Sequence, residues 1–232
     1  MMLNVHRLEW FFLVFGLAAL DAYIWLNTST LYSQAYTDWA FDQRLRGLSS
    51  SVAKFAEDEV RTLVGRNRFA PEKPDRAVLP RLSEPALDTK IEGSRPAPSE
   101  VLGRLDIPGL NLFAMVREGA DASTLRRAVG HIPGTALPGE KGNVALAGHR
   151  DTFFRALRDI QVHDPIQFET PAGIYRYQVE STRVVGPREI QVLASSRAPT
   201  LTLVTCYPFY YIGSAPKRFI VRATLVSAIP NG

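Results

Sequence analysis

From Val101 onward the chain is cut into short apolar runs by turn residues, and this punctuation constrains the fold more than any other feature. Leu102–Ile107 and Leu110–Val116 are two such runs, joined at Pro108-Gly109, a pair that favours a turn. "GNVALAGH" reads as a buried strand ending in glycine. "DPIQFETPAGIYRYQVESTRVV" reads as a hairpin with Pro171-Ala172-Gly173 at its tip, and "TLTLVTC" and "KRFIVRATLV" as the last two strands. Little helix intervenes. "DASTLRRAV" predicts a short helix that Asp121 or Ser123 can cap, and "DTFFRALRDI" one or two helical turns. Seven or eight short strands with so little helix predict an all-β domain over residues 101–232, a barrel or a sandwich.

The residues before it follow other rules. Leu8–Leu26, "LEWFFLVFGLAALDAYIWL", is a 19-residue apolar run broken by Glu9 at its edge and Asp21 in its last two turns. About 20 apolar residues cross the hydrocarbon core as a helix. Asp21 opposes insertion, since an acid at the centre costs about 2.5–3.5 kcal/mol, but it lies near one end. Trp10, Tyr23 and Trp25 flank the run as interfacial anchors. No small-x-small site follows Leu26, which favours an uncleaved transmembrane anchor over 1–27 against a signal peptide. His6 and Arg7 are the basic groups before the run, a slight bias toward a cytoplasmic N-terminus. The expected location is therefore the cell membrane, single-pass, with the β domain extracytoplasmic.

Residues 28–64 predict a helical stalk, because Phe41, Leu45, Leu48, Val52 and Phe55 recur at steps of four and three. Residues 65–100 hold Pro71, Pro74, Pro80, Pro85, Pro96 and Pro98. Prolines so dense block helix and inner strand, so this is a linker or a strap on the domain surface, and a lid over the site is one role open to it.

The net charge of +4 is unevenly placed. Residues 1–100 carry 12 Lys and Arg against 13 Asp and Glu, and residues 101–232 carry 15 against 10. No basic cluster interleaved with aromatics accompanies that excess, so nucleic acid is not an expected partner.

Cys206 is the single cysteine and cannot form an internal disulfide. It ends an apolar strand. A thiol acts as a nucleophile only as thiolate, which calls for a histidine to exchange protons with it and a donor to hold the oxyanion that forms. His149, in "NVALAGHRDTFF", also ends an apolar strand, after the small residues Ala147 and Gly148. Two reactive groups at strand ends can meet at one rim of a barrel. His131, between glycines and prolines, reads as a structural loop residue, and His163 as a surface turn residue. The spacings among these three histidines follow no short zinc motif, no acidic cluster suggests calcium, and no metal or cofactor is expected. For the donor, Arg218 and Arg222 share one face of the last strand, and Arg218, at its start, is nearer the rim. Arg150 is expected to point away from His149.

"TLTLVTC" resembles the TLxTC signature of sortases, membrane-anchored cysteine transpeptidases of the bacterial envelope, and "LAGHR" resembles their histidine motif. "GHIPGTALPGEKGN" and "CYPFYYIGSAPKRFIVRA" are similar to the flanking segments, the last most like class D. The likeness runs over about residues 101–228. It implies an eight-stranded β-barrel, Cys206 as the nucleophile that forms a thioester, His149 as general acid/base, Arg218 at the oxyanion position and Thr205 as part of the substrate groove. It also implies two partners: a protein substrate with a C-terminal LPxTG-like sorting signal, and an amine acceptor on a peptidoglycan precursor or a pilin lysine. Water can replace the amine, which makes hydrolysis a side reaction.

Two other readings compete. An L,D-transpeptidase-like cysteine enzyme is disfavoured, because its cysteine sits in an SHGC-like motif and here the preceding residues are "VT". A membrane-anchored β-domain that binds an envelope partner without chemistry would leave Cys206 an inert thiol.

Overall fold

In the computed structural model the described residues are 3–46, 48, 50–65 and 95–231, with the side chains of parts of the two N-terminal helices excluded. Most of the proline-rich stretch, and with it the strap or lid expected over 65–100, lies outside the described residues.

Eight strands close into a barrel in the order β1-β2-β3-β4-β7-β8-β6-β5. They are β1 (Val101–Ile107), β2 (Leu112–Glu118), β3 (Val129–His131), β4 (Asn143–Ala147), β5 (Pro165–Thr170), β6 (Gly173–Val185), β7 (Thr200–Tyr207) and β8 (Lys217–Pro230). The resemblance implied this closure; the residue pattern alone left barrel and sandwich open. Alternation explains it. In β6, Tyr175, Tyr177 and Val179 are buried while Arg176, Gln178 and Glu180 face out, the period-2 pattern of a sheet with one wet face. Leu105, Ile107, Val116, Leu146, Phe168, Leu201, Leu203 and Val221 fill the interior. Most neighbours are antiparallel, but β2–β3 and β4–β7 are parallel.

The turns follow their sequences. Pro108–Leu110 forms a single 3-10 turn between β1 and β2. Asp121 caps α3 (Ala122–Leu125), its carboxylate accepting from the amides of Ser123 and Thr124. "DTFFRALRDI" contains the 3-10 helix Arg155–Asp159. The β5–β6 hairpin turns at Pro171-Ala172.

Two expectations concern the N-terminal part. Leu8–Leu26 is helical, inside α1 (Leu3–Leu45), but among the described residues no helix is long and apolar enough to cross a membrane. The described side chains of this run are outward: Trp10, Phe12, Phe15 and Tyr23 are all more than 60% exposed.

The helical stalk expected over 28–64 consists of two helices. α1 stops at Leu45 and α2 (Val52–Gly65) starts afresh. Gly47 and three serines at 49–51 intervene, and glycine and serine favour breaks and caps over helix interiors. The Ser51 hydroxyl accepts from the Lys54 amide at 3.2 Å, an N-cap contact. Leu48 and Val52 of the expected stripe are exposed, whereas Phe41 and Phe55 are buried. α2 folds back on α1: the Phe55 ring meets Tyr36 and Trp39 at 5.4 and 5.5 Å, and the Trp39 indole donates to Asp58 at 3.0 Å.

This hairpin docks on the barrel wall. Arg104 of β1 pairs with Asp38 and Asp42 of α1 at 3.0 Å each and with Glu169 of β5 at 2.6 Å. Its guanidinium lies 5.7 Å from the Phe41 ring, and Arg117 of β2 donates to Thr37 at 3.2 Å. Arg104→Ala would leave three carboxylates facing one another. A fully buried pair broken this way costs about 3–5 kcal/mol; with Arg104 22% exposed, about 2 kcal/mol is expected in chemical denaturation.

Asp38→Asn should behave differently. Burial lifts the Asp38 carboxyl above its ordinary value, outweighing the lowering by Arg104. Protonation therefore favours the folded form, a contribution complete below the ordinary value of 3.8 and lost as the pH rises through the raised value. At pH 7 the ionised carboxylate is a net cost, and Asp38→Asn is expected to leave stability unchanged or slightly higher.

Candidate active site

β4 and β7 lie side by side and parallel, with Ala147 level with Val204. The ladder continues one step past β4. The Gly148 amide donates to the Val204 carbonyl at 3.2 Å, and the Thr205 hydroxyl donates to the Gly148 carbonyl at 2.8 Å. His149 follows at once, so it stands at the level where β7 presents Cys206. Both residues are half-buried. On the other flank of β7, Arg218 is the cross-strand partner of Cys206 in the β7–β8 ladder. The structure thus brings His149, Cys206 and Arg218 to three adjacent strand ends at one mouth of the barrel.

Further down, Asn143 fixes the register of the two parallel strands. Its side-chain carbonyl accepts from the hydroxyls of Thr200 and Thr202 at 3.2 and 2.7 Å, and its amide donates to the Val192 carbonyl at 3.2 Å. All three polar side chains are buried, and burial is tolerated because their hydrogen bonds are made.

Thr205 is buried and its hydroxyl is spent on Gly148. It joins the two strands from inside. The Arg218 guanidinium donates through one terminal nitrogen to the carbonyls of Ala215 and Lys217, at 3.2 and 2.9 Å. Arg222, four residues deeper, lies opposite Thr202, with its Nε 3.9 Å from Glu180. His131 is buried, with Nδ1 2.6 Å from Glu118 and Nε2 3.0 Å from both the Ala136 carbonyl and the Thr135 hydroxyl. His163 is exposed in a turn. Among the described residues no group of three or more His, Cys, Asp or Glu is placed to hold a metal.

Arg150 has a role that the sequence reading missed. It reaches the 208–216 loop that leads from β7 to β8, beginning two residues past Cys206. Its guanidinium donates to the carbonyls of Pro208, Tyr211 and Gly213 at 3.0, 2.6 and 3.1 Å and lies 5.7 Å from the Tyr211 ring. Arg158 donates to the Tyr210 hydroxyl of the same loop. The loop's base is aromatic, with Phe209 packed edge-on to Tyr207 and Phe219 at 6.0 and 5.3 Å. The acceptors of Arg150 are backbone carbonyls, which carry no side-chain signature, so spacing could not have found them. Arg150→Ala is expected to free this loop. Losing charge-assisted bonds worth ~1.4 kcal/mol in sum would raise its open population, and the rate of limited proteolysis within 208–216, about tenfold.

A model of the sortase domain matches residues 105–226. The chain is 34% identical over 134 residues to Sortase D of Bacillus subtilis, covering 57% of this chain and 68% of that one. It is 31% identical over 153 residues to Sortase SrtE1 of Streptomyces coelicolor, spanning 43% of that longer protein. Among solved structures, a Sortase D5 transpeptidase of Clostridium perfringens superposes with a TM-score of 0.52 at 30% identity, covering 56% of this chain and 82% of that one.

Proposed function

Because the chain belongs to the sortase family, we propose that it is a membrane-anchored cysteine transpeptidase that cuts an LPxTG-like sorting signal and hands the acyl group to an amine. The family acts on protein substrates bearing sorting signals and on amine acceptors; the roles of individual residues here are our reading. The observation that carries it is the parallel β4–β7 pairing, which sets His149 beside the strand end of Cys206 with Arg218 across the ladder.

The Cys206 thiolate attacks the carbonyl carbon of the signal's threonine. Negative charge gathers on the carbonyl oxygen, where a positioned donor stabilises it most. Arg218 has five N–H donors, and two of them are engaged by Ala215 and Lys217. The rest are available to the oxyanion. His149 delivers a proton to the departing amine, the C–N bond breaks, and a thioester remains on Cys206. A second amine, or water, then attacks the thioester. Thr205 takes part by tying the strand of Cys206 to that of His149 through Gly148, which keeps the groove wall closed.

The outward apolar side chains of Trp10, Phe12, Leu13, Val14, Phe15, Leu17 and Leu20 support a membrane anchor on the cell surface, since so large an apolar face is not left to water. The test is a set of peptides carrying different sorting-like signals, offered with and without an amine, with Cys206 followed by mass spectrometry. An acyl adduct on Cys206 that an amine discharges is the expected result; no adduct with any peptide would refute the reading.

A further inference from the structure

At the barrel end that carries the proposed catalytic mouth lies a cleft of about 560 Å³. The topology fixes its place. β3 runs antiparallel to β4 and parallel to β2, so the start of β2 lies at the same end of the barrel as the end of β4. The cleft opens there, between the 3-10 turn before β2 and the 3-10 helix Arg155–Asp159. That helix is wired to His149, because the amide of Phe154 donates to the His149 carbonyl at 3.0 Å.

The walls combine apolar and basic chemistry. Leu110, Phe113, Phe153 and Ala156 supply apolar surface, and Arg126, Arg155 and Arg158 supply charge, with Asp159 the one acidic lining residue. Arg158 is already paired with Asp159 at 2.9 Å. Arg126 and Arg155 have no ion-pair partner among the described residues. The cleft therefore presents two uncompensated guanidinium groups over an apolar floor, which suits a carboxylate-bearing ligand.

We infer that this cleft is the acceptor subsite, and that it selects amines carrying a carboxylate nearby over neutral amines. This rests on the transpeptidase reading. In that reading the incoming amine must lose a proton as it attacks, and the base is His149. An acceptor must then approach on the histidine side of the thiol, where the cleft begins three residues past His149, at Thr152. The amine lone pair forms the new C–N bond to the thioester carbonyl carbon and the C–S bond breaks. Sulfur leaves with the bonding pair, and the amine proton passes to His149 and on to the thiolate, restoring the thiol.

The test offers the full chain a sorting-signal peptide with matched acceptors: Nα-acetyl-lysine against Nα-acetyl-lysinamide, and glycylglycine against glycylglycinamide. The readout is the ratio of transfer to hydrolysis within each protein, so a general loss of activity cancels. A preference of about tenfold for the carboxylate member of at least one pair is expected, the effect of one charge-assisted contact. In R126A/R155A that preference falls to about one, and in R126E/R155E it reverses. Equal partitioning by the native chain, or a preference that survives both double variants, overturns the acceptor assignment while leaving the transpeptidase reading in place. Absence of any acyl adduct on Cys206 overturns both.

Discussion

Replacing Cys206 by alanine is expected to abolish the acyl adduct and all transfer, while leaving the fold intact. The thiol is half-buried at a strand end, outside the closely packed interior, so its loss leaves no cavity of consequence. The chain has no second cysteine to take its place. His149→Ala should reduce turnover by about 10²–10⁴-fold, the usual worth of a positioned acid/base. Arg218→Ala should reduce it by about 10²–10³-fold through loss of oxyanion stabilisation. The discriminating feature is the order of loss. Cys206→Ala gives no adduct, whereas His149→Ala and Arg218→Ala give one that forms slowly. Steady-state transfer and time-resolved mass spectrometry check this; full activity in His149→Ala would remove the histidine from the mechanism.

The second large effect is expected from one methyl group at Gly148. A Cβ there would lie 2.7 and 2.8 Å from two ring carbons of Phe154, closer than van der Waals contact permits. Phe154 is fully buried and has no free side to retreat to, so the ring, the strand or both must move. Overpacking of this kind costs about 1–3 kcal/mol. The displacement falls on the residue before His149 and on the carbonyl that Thr205 holds, so the loss of activity should exceed the loss of stability. A smaller ring site relieves it: Gly148→Ala with Phe154→Leu should regain activity relative to Gly148→Ala alone. Thermal unfolding and transfer kinetics of the three variants check this, and an active, fully stable Gly148→Ala would show that the contact is soft.

Much of this arrangement was legible from the chain alone. Strand positions followed from alternation and from turn pairs, because side-chain period and turn chemistry are local properties. Cys206 and His149 stood out because each ends an apolar run. Their adjacency did not follow from either run. It depends on β4 and β7 pairing in parallel across more than fifty residues, a choice set by barrel closure. The break in the stalk was not legible, because a stripe at helical spacing survives on paper when a serine-rich stretch interrupts the helix beneath it. Arg150 and Arg104 went unseen for a related reason. Their partners are main-chain carbonyls in one case and carboxylates from two separate elements in the other, and only the fold assembles them.

The weld between α1 and the barrel has a mechanical consequence. With Leu8–Leu26 in the bilayer as proposed, the first described tie to the barrel, at Thr37, lies about 17 Å beyond Leu26 along a helix rising 1.5 Å per residue. The catalytic head then sits at a set working height, as on a short rigid post, and meets a substrate whose cleavage point is presented at matching height. Adding one helical turn between Leu26 and Thr37 would lift the head by about 5 Å, which changes what it can reach without altering what it can cut.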